Sequence, residues 1–294
     1  MFYRRKIILA LLQLFEGKID KISLQKLLFL FTQKQIKTEY DFIPYRYGCY
    51  SYSLNADLTA MVKKELLIET TSDFTINSST DYYKSLKEVD KKLLLEVKNN
   101  YGKMNANALM KHTYLNFPYW AINSVKAKEI LSVEQLEKVN NSRPKSNDTI
   151  LFTIGYEGIS LEEYLNRLVK NDVKVLIDVR NNAMSMKYGF SKSQLQRYCN
   201  SLTIDYIHLP EVGIQSDQRQ ELNSQHDYDK LFAIYCENNL KKTTASQLKI
   251  LELLTQYQRV ALTCFEANIC QCHRKHLAEA IENLPDFKYR VKHI

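Results

Sequence analysis

Apolar residues recur at helical spacing in RRKIILALLQLFEG (residues 4–17) and SLQKLLFLFTQKQ (23–35), so each stretch predicts a helix with one apolar stripe, Ser23 capping the second. IPYRYGCYSYS (43–53) breaks that period, and LNADLTAMVKKELLI (54–68) restores it as a third helix. LIETTSDFTINSS (67–79) holds two short β-prone runs around Ser72 and Asp73, the pattern of a hairpin. Two more helices are predicted over 86–99 and about 105–124, the second carrying the single tryptophan.

The polar run NNSRPKSNDT (140–149) has no apolar period. Pro144, which lacks an N–H, marks it as a boundary between a domain over 1–140 and one over 150–294. Beyond it the pattern changes. LFTIGYEGISLEEYLNRLVKN (151–171) is a buried strand, a turn and a helix, with Ser160 and Glu163 at capping-box spacing. VKVLIDVR (173–180), TIDYIHLPEVG (203–213) and YQRVALTCFE (257–266) are three further strands. Strands alternating with helices predict an α/β fold with a mostly parallel, doubly wound sheet, in which ligands collect at the carboxyl ends of the strands. Those ends carry Gly155, Tyr156 and Glu157; Asp178 and Arg180; Tyr206 and His208; Cys264 and Glu266. Ion pairs that merely close the sheet end explain any one of these clusters, and a shared pocket explains all four.

Helix, helix, helix, hairpin is the order of a winged helix-turn-helix, and charge sharpens the comparison. Residues 1–148 hold 23 Lys and Arg against 16 Asp and Glu, a balance of +7, whereas residues 149–294 hold 18 against 17, a balance of +1. A basic first domain suits DNA or RNA, through release of counterions from phosphates. The third helix would then enter a groove, with Tyr50, Ser51, Tyr52 and Asn55 near base edges and Lys63 and Lys64 near phosphates. A solvated lysine-rich surface, or a protein-interaction module, fits the same charge. Tyrosines at 45, 47, 50 and 52 alternate as a stacking row would, or as a core stripe would.

No apolar run is long enough to span a bilayer, no cleavage site follows the start, and the six cysteines are scattered except near residue 270. Reduced thiols, a cytoplasmic location and no membrane partner are the expectations. A homo-oligomer is left open.

CFEANICQCHRKH (264–276) concentrates cysteine and histidine. Cys264, Cys270, Cys272 and His273 have zinc-binding atoms but not the usual paired spacing, and adjacent residues 272 and 273 are poorly placed to share one ion, so no metal is expected. No C-x5-R loop of the phosphatase or rhodanese kind exists. Cys272 stands at the start of the helix-like run HRKHLAEAIENL, where a helix N-terminus with His273 and Arg274 would lower a thiol pKa; a packed cysteine orienting the turn is the competing view. His273 and Arg274 are placed to hold an anion.

Two resemblances add to this reading. LQKLLFLF, FIPYRYGCYS, KKELLI and YLNFPYWAINS resemble a winged-helix region found fused to uncharacterised α/β domains, with Cys49 where those sequences usually have proline. TIGYEG, IDVR, GFS (189–191), IDYIHLPEVG, CFE and CHR, in that order, resemble domain of unknown function 488, a bacterial and archaeal family, with Met184 where its members commonly have proline. That resemblance marks Gly155, Tyr156, Glu157, Asp178, Arg180, Ser185, Tyr206, His208, Gly213, Cys264, Glu266, Cys272, His273 and Arg274, and carries no reaction with it.

The residue types point to a nucleotide or nucleobase ligand and to glycosidic-bond or related hydrolase or transferase chemistry, in DNA repair or phage defence. Glu157, Asp178 and Glu266 would act as nucleophile, base and acid. Arg180, Arg274 and His208 would hold phosphate, and Tyr156 and Tyr206 would stack on a base. Cys272 is the candidate nucleophilic thiol, and no cofactor is implied. A non-catalytic sensor coupled to a DNA-binding domain is the alternative, and a thiol oxidoreductase a third.

Overall fold

The computed structural model describes residues 1–215, 218 and 222–294, and the chain divides into two compact units, Met1–Arg143 and Pro144–Ile294.

The first unit opens with helix α1 (Tyr3–Leu14), strand β1 (Lys18–Asp20), helix α2 (Lys21–Thr32), the hairpin β2 (Ile43–Tyr45) and β3 (Gly48–Tyr50), and helix α3 (Tyr52–Lys63). The hairpin β4 (Leu67–Glu69) and β5 (Asp73–Ile76) follows, and β5 pairs antiparallel with both β4 and β1, giving a three-stranded sheet in the order β1-β5-β4. Asp20 rather than Ser23 caps α2, its carboxylate accepting from the Ser23 N–H at 2.8 Å. Ser51 caps α3. Helices α4 (Glu88–Tyr101), α5 (Ala106–Asn116), α6 (Ala127–Ile130) and α7 (Val133–Asn141) complete the unit. The single helix predicted over 105–124 stops at Asn116, because Pro118 cannot continue it, and Trp120 lies in the 3-10 turn beyond.

Helix α2 is buried at every position from Ser23 to Thr32, more than one apolar stripe requires, because α4, α5 and the β2–β3 hairpin pack around it. Lys26 is carried inside with it, 1 % exposed, its ammonium donating to the Cys49 carbonyl at 2.8 Å. Burial pushes the Lys26 pKa below its ordinary value, so over the interval between the two values the unfolded chain holds a proton that the folded one has released, and stability rises with pH there. Against Lys26→Met, the wild type should therefore gain stability as pH is raised toward the ordinary lysine range. Denaturant melts followed through Trp120, whose ring centroid is 5.3 Å from that of Phe29 on α2, read this out. A difference between the two proteins that does not change with pH would contradict it.

The second unit is an α/β layer structure: β6 (Ile150–Gly155), α8 (Leu161–Lys170), β7 (Val175–Asp178), α9 (Lys192–Ser201), β8 (Asp205–His208), α10 (Gln225–Asn238), α11 (Thr244–Tyr257), β9 (Arg259–Cys264), α12 (His273–Glu282) and β10 (Arg290–His293). The five strands pair in parallel, in the order β10-β6-β9-β7-β8. Every residue of β6, β7 and β9 is buried, as strands covered on both faces must be. On one face Leu151, Val175, Ile177, Val260 and Leu262 pack with α10, α11 and α12. On the other, Tyr164 of α8 donates to Thr263 of β9 at 2.7 Å. Ser160 caps α8 by accepting from the Glu163 N–H, while the Glu163 carboxylate pairs one turn on with Arg167.

The order contains a switch point. From β7 the chain continues outward to β8, whereas from its neighbour β9 it runs the other way, past β6, to β10. In open parallel sheets the crevice outside the carboxyl ends of such strands is where ligands bind. Among the described residues no helix is long and apolar enough to cross a membrane.

Candidate functional site

At the carboxyl end of β7 the chain turns so that Arg180 reaches back to Asp178. The guanidinium Nε donates to Oδ1 at 2.8 Å and Nη2 to Oδ2 at 2.5 Å, while the Arg180 backbone N–H adds a third bond to Oδ1. Tyr206 of β8 donates its hydroxyl to Oδ2 at 2.6 Å, and Arg180 Nη1 donates to the Tyr156 hydroxyl at 2.6 Å. Asp178 is fully buried and Arg180 is 5 % exposed. Burial works against the charge of Arg180, but the Asp178 carboxylate outweighs it and holds the pKa above the ordinary arginine value. Burial beside the same carboxylate pushes Tyr206 up. With four donors on two oxygens, Asp178 has no lone pair left for a substrate proton. Its expected role as base or nucleophile gives way to that of the anchor that orients Arg180.

The two tyrosines are also committed. Tyr156, 2 % exposed, stacks on Phe190 with centroids 4.2 Å apart and planes 10° from parallel, and Tyr206 is spent on Asp178. Phe190 thus covers one face of the Tyr156 ring, and the Tyr206 hydroxyl is committed to Asp178. His208 donates Nε2–H to the Arg180 carbonyl at 2.8 Å, and His273 donates Nε2–H to the Val179 carbonyl at 3.0 Å. A carbonyl only accepts, so both imidazoles are held in one tautomer and pin consecutive peptide groups after β7.

The segment after β9 is clamped from three sides. The N–H groups of Tyr156 and Glu157 donate to the Phe265 carbonyl, the Glu157 carboxylate accepts the Ala267 N–H at 2.9 Å, and Arg274 donates to the carbonyls of Glu266 and Ala267. Gly155 permits the approach, since a Cβ there would lie 2.0 Å from the Glu266 oxygen. Gly213 is a second such contact, its Cβ position 2.2 Å from the Asn181 nitrogen. Arg274 is thus turned toward the backbone. Of the three residues expected to cradle phosphate, Arg180 lines the cavity described below while Arg274 and His208 do not, Arg274 pointing two donors at backbone carbonyls with its Nε buried and without a hydrogen-bond partner among the described residues. Cys272 caps α12 but is fully buried, and desolvation pushes its thiol well above the ordinary value, opposite to the lowering expected from the helix terminus.

Between the ends of β7 and β9 lies a cavity of about 300 Å³ lined by Tyr156, Arg180, Ser185, Cys264 and His273 of the expected residues, with Asn181, Asn182, Met184, Met186, Ile214 and Phe265 besides. Glu157, Asp178, Glu266 and Cys272, the four expected to be catalytic, do not line it, nor do Gly155, Tyr206, His208 and Arg274. Met184, Met186 and Phe265 are 80 %, 104 % and 41 % exposed, an apolar rim over a polar floor. Ser185 ties the rim down: its hydroxyl accepts from Lys187 N–H, its own N–H donates to the Ser191 hydroxyl, and the Lys187 ammonium donates to the Tyr156 carbonyl. Exposed apolar side chains on a short loop carry no periodic signal, so only the fold identifies this rim.

In the first unit, Asn55, Lys63 and Lys64 are exposed, and Asn55, Thr59 and Lys63 lie four apart along the outer face of α3. Ser51 and Tyr52 are buried, the one as helix cap and the other in a cluster with Tyr45 and Tyr50 whose ring centroids are 5.1 to 5.7 Å apart, so they are withdrawn from the expected base contacts. Tyr47 stands outside that cluster, 44 % exposed.

Residues 160–281 match the family described as "Domain of unknown function DUF488". No curated protein matches the chain.

Proposed function

We propose that the second unit is a recognition pocket for a nucleobase or the base end of a nucleotide, and that the first unit contacts nucleic acid. The carrying observation is the cavity at the switch point, where Phe265 and two methionines border amide, hydroxyl and guanidinium donors. A planar, polar, uncharged group suits that combination: the ring lies against Phe265, and Asn181, Asn182 and Ser185 satisfy its edge. A multiply charged phosphate suits it less, because Arg180, the guanidinium among the described lining residues, is neutralised by Asp178. The same saturation of Asp178 favours recognition over the acid–base chemistry expected of three carboxylates.

Support for the first unit's role is the order of α1, β1, α2, α3 and the β4–β5 hairpin, which resembles a winged helix with the β2–β3 hairpin added between α2 and α3, together with the outward row on α3. If this is right, affinity for duplex DNA falls steeply as salt rises, and Lys63→Ala with Lys64→Ala flattens that slope. Binding indifferent to salt would exclude it.

Isothermal titration with free bases, nucleosides and nucleotides tests the pocket. Phe265→Ala removes a half-exposed ring at little cost to folding, and should weaken the best ligand by about 1–3 kcal/mol, the usual worth of a base stacked on an aromatic side chain. Equal affinity in wild type and variant would show that the ligand binds elsewhere.

A further inference from the structure

Cys264 ends β9, Cys272 immediately precedes α12 and His273 begins it, and the loop between Cys264 and Cys272 is the clamped segment described above. Their sulfur and nitrogen atoms all lie within 4.8 Å of one another. Adjacency in sequence therefore does not keep residues 272 and 273 apart from one ion, because the chain passes from extended Cys272 into the first turn of a helix and both side chains turn toward Cys264.

We propose that Cys264 Sγ, Cys272 Sγ and His273 Nδ1 form a binding site for zinc at the floor of the cavity. Three observations support it. The Val179 carbonyl fixes the His273 proton on Nε2, leaving the Nδ1 lone pair directed at Cys264 Sγ, 3.6 Å away. Metal-bound histidines are characteristically held this way through their other nitrogen. Tetrahedral zinc with Zn–S of about 2.3 Å and Zn–N of about 2.0–2.1 Å puts sulfur and nitrogen about 3.6 Å apart, so the pair already has the required separation. All three side chains are at most 1 % exposed, and a thiol is a poor hydrogen-bond partner for a buried imidazole lone pair, whereas two thiolates and an imidazole are a donor set that selects zinc over magnesium or calcium.

Three protein donors leave a fourth position. Cys264 and His273 both line the cavity, so that position opens toward whatever the cavity holds, as in zinc sites that bind water or a ligand. Glu266, with Oε2 3.2 Å from Cys264 Sγ, stands beside it. Metal binding does not depend on the identity of the cavity's ligand, and its test is separate.

The full chain, reduced and freed of metal, is titrated with Co²⁺ and then with Zn²⁺. Wild type should bind one equivalent of cobalt, showing the near-ultraviolet thiolate charge-transfer band and the visible bands of a tetrahedral ion, and zinc should bleach both. Cys270→Ser should retain the spectrum, since Cys270 is exposed and outside the cluster. Cys272→Ser should lose at least 100-fold in zinc affinity. A wild-type protein without the charge-transfer band overturns the proposal, whether or not Cys272→Ser folds. So does a band lost in Cys270→Ser or kept in Cys272→Ser at unchanged affinity.

Discussion

Arg180→Met destabilises the second unit by about 3–5 kcal/mol, the cost of leaving one member of a buried ion pair without its partner. Asp178, fully buried, loses two of its four donors and keeps only the Tyr206 hydroxyl and a backbone N–H. The pair is not itself a large source of stability, since both charges were desolvated to form it. The double variant Arg180→Met with Asp178→Asn should therefore recover much of the loss, an interaction energy that a thermodynamic cycle measures. The sole tryptophan belongs to the first unit, so the readout is hydrogen exchange of the β6, β7 and β9 amides. A cost under about 1 kcal/mol for Arg180→Met, or a double variant worse than the single, would mean that the pair is not the anchor described.

Gly155→Ala is the second large effect. The new methyl would meet backbone, the Glu266 carbonyl oxygen at 2.0 Å and its carbon at 2.8 Å, and a carbonyl fixed by Arg274 cannot swing aside as a side-chain tip does. The segment after β9 must lift, loosening the bonds from Tyr156 and Glu157 to Phe265. Overpacking of this kind costs about 1–3 kcal/mol, and here it also displaces Phe265 and Cys264 from the cavity. Gly158→Ala is the control. Its Cβ meets nothing within 4 Å, and its φ of +76° alone costs about 1–2 kcal/mol. Gly155→Ala should abolish ligand binding and Gly158→Ala should leave it intact; equal behaviour of the two would refute the close approach.

Much of this architecture is legible in the sequence, for reasons that also mark where legibility ends. The strands β6, β7 and β9 announce themselves because burial on both faces demands unbroken apolar runs. Strand β10, at the sheet edge and largely exposed, reads RVKH and carries no such signal. Polar residues at strand ends were visible as a group, yet whether each faces a cavity or a neighbour depends on chain direction after the strand. Asp178 and Arg180 turn on each other, Glu157 turns to Ala267, and the exposed ring at the rim of the cavity is Phe265, beside the residues the motif marks. Lys26 lies in a helix whose period predicts one wet face, and only packing from several sides encloses it.

The account rests on one cavity shared by the segments that follow β6, β7 and β9. A crystal of the full chain soaked in mixed bases, nucleosides and nucleotides tests it most directly. The expected result is a planar ligand against Phe265, with polar atoms on Asn181, Asn182 or Ser185 and its far end toward Cys264 and His273. Ligand bound elsewhere with this cavity empty, or a cavity closed over by Met184 and Met186, would contradict it.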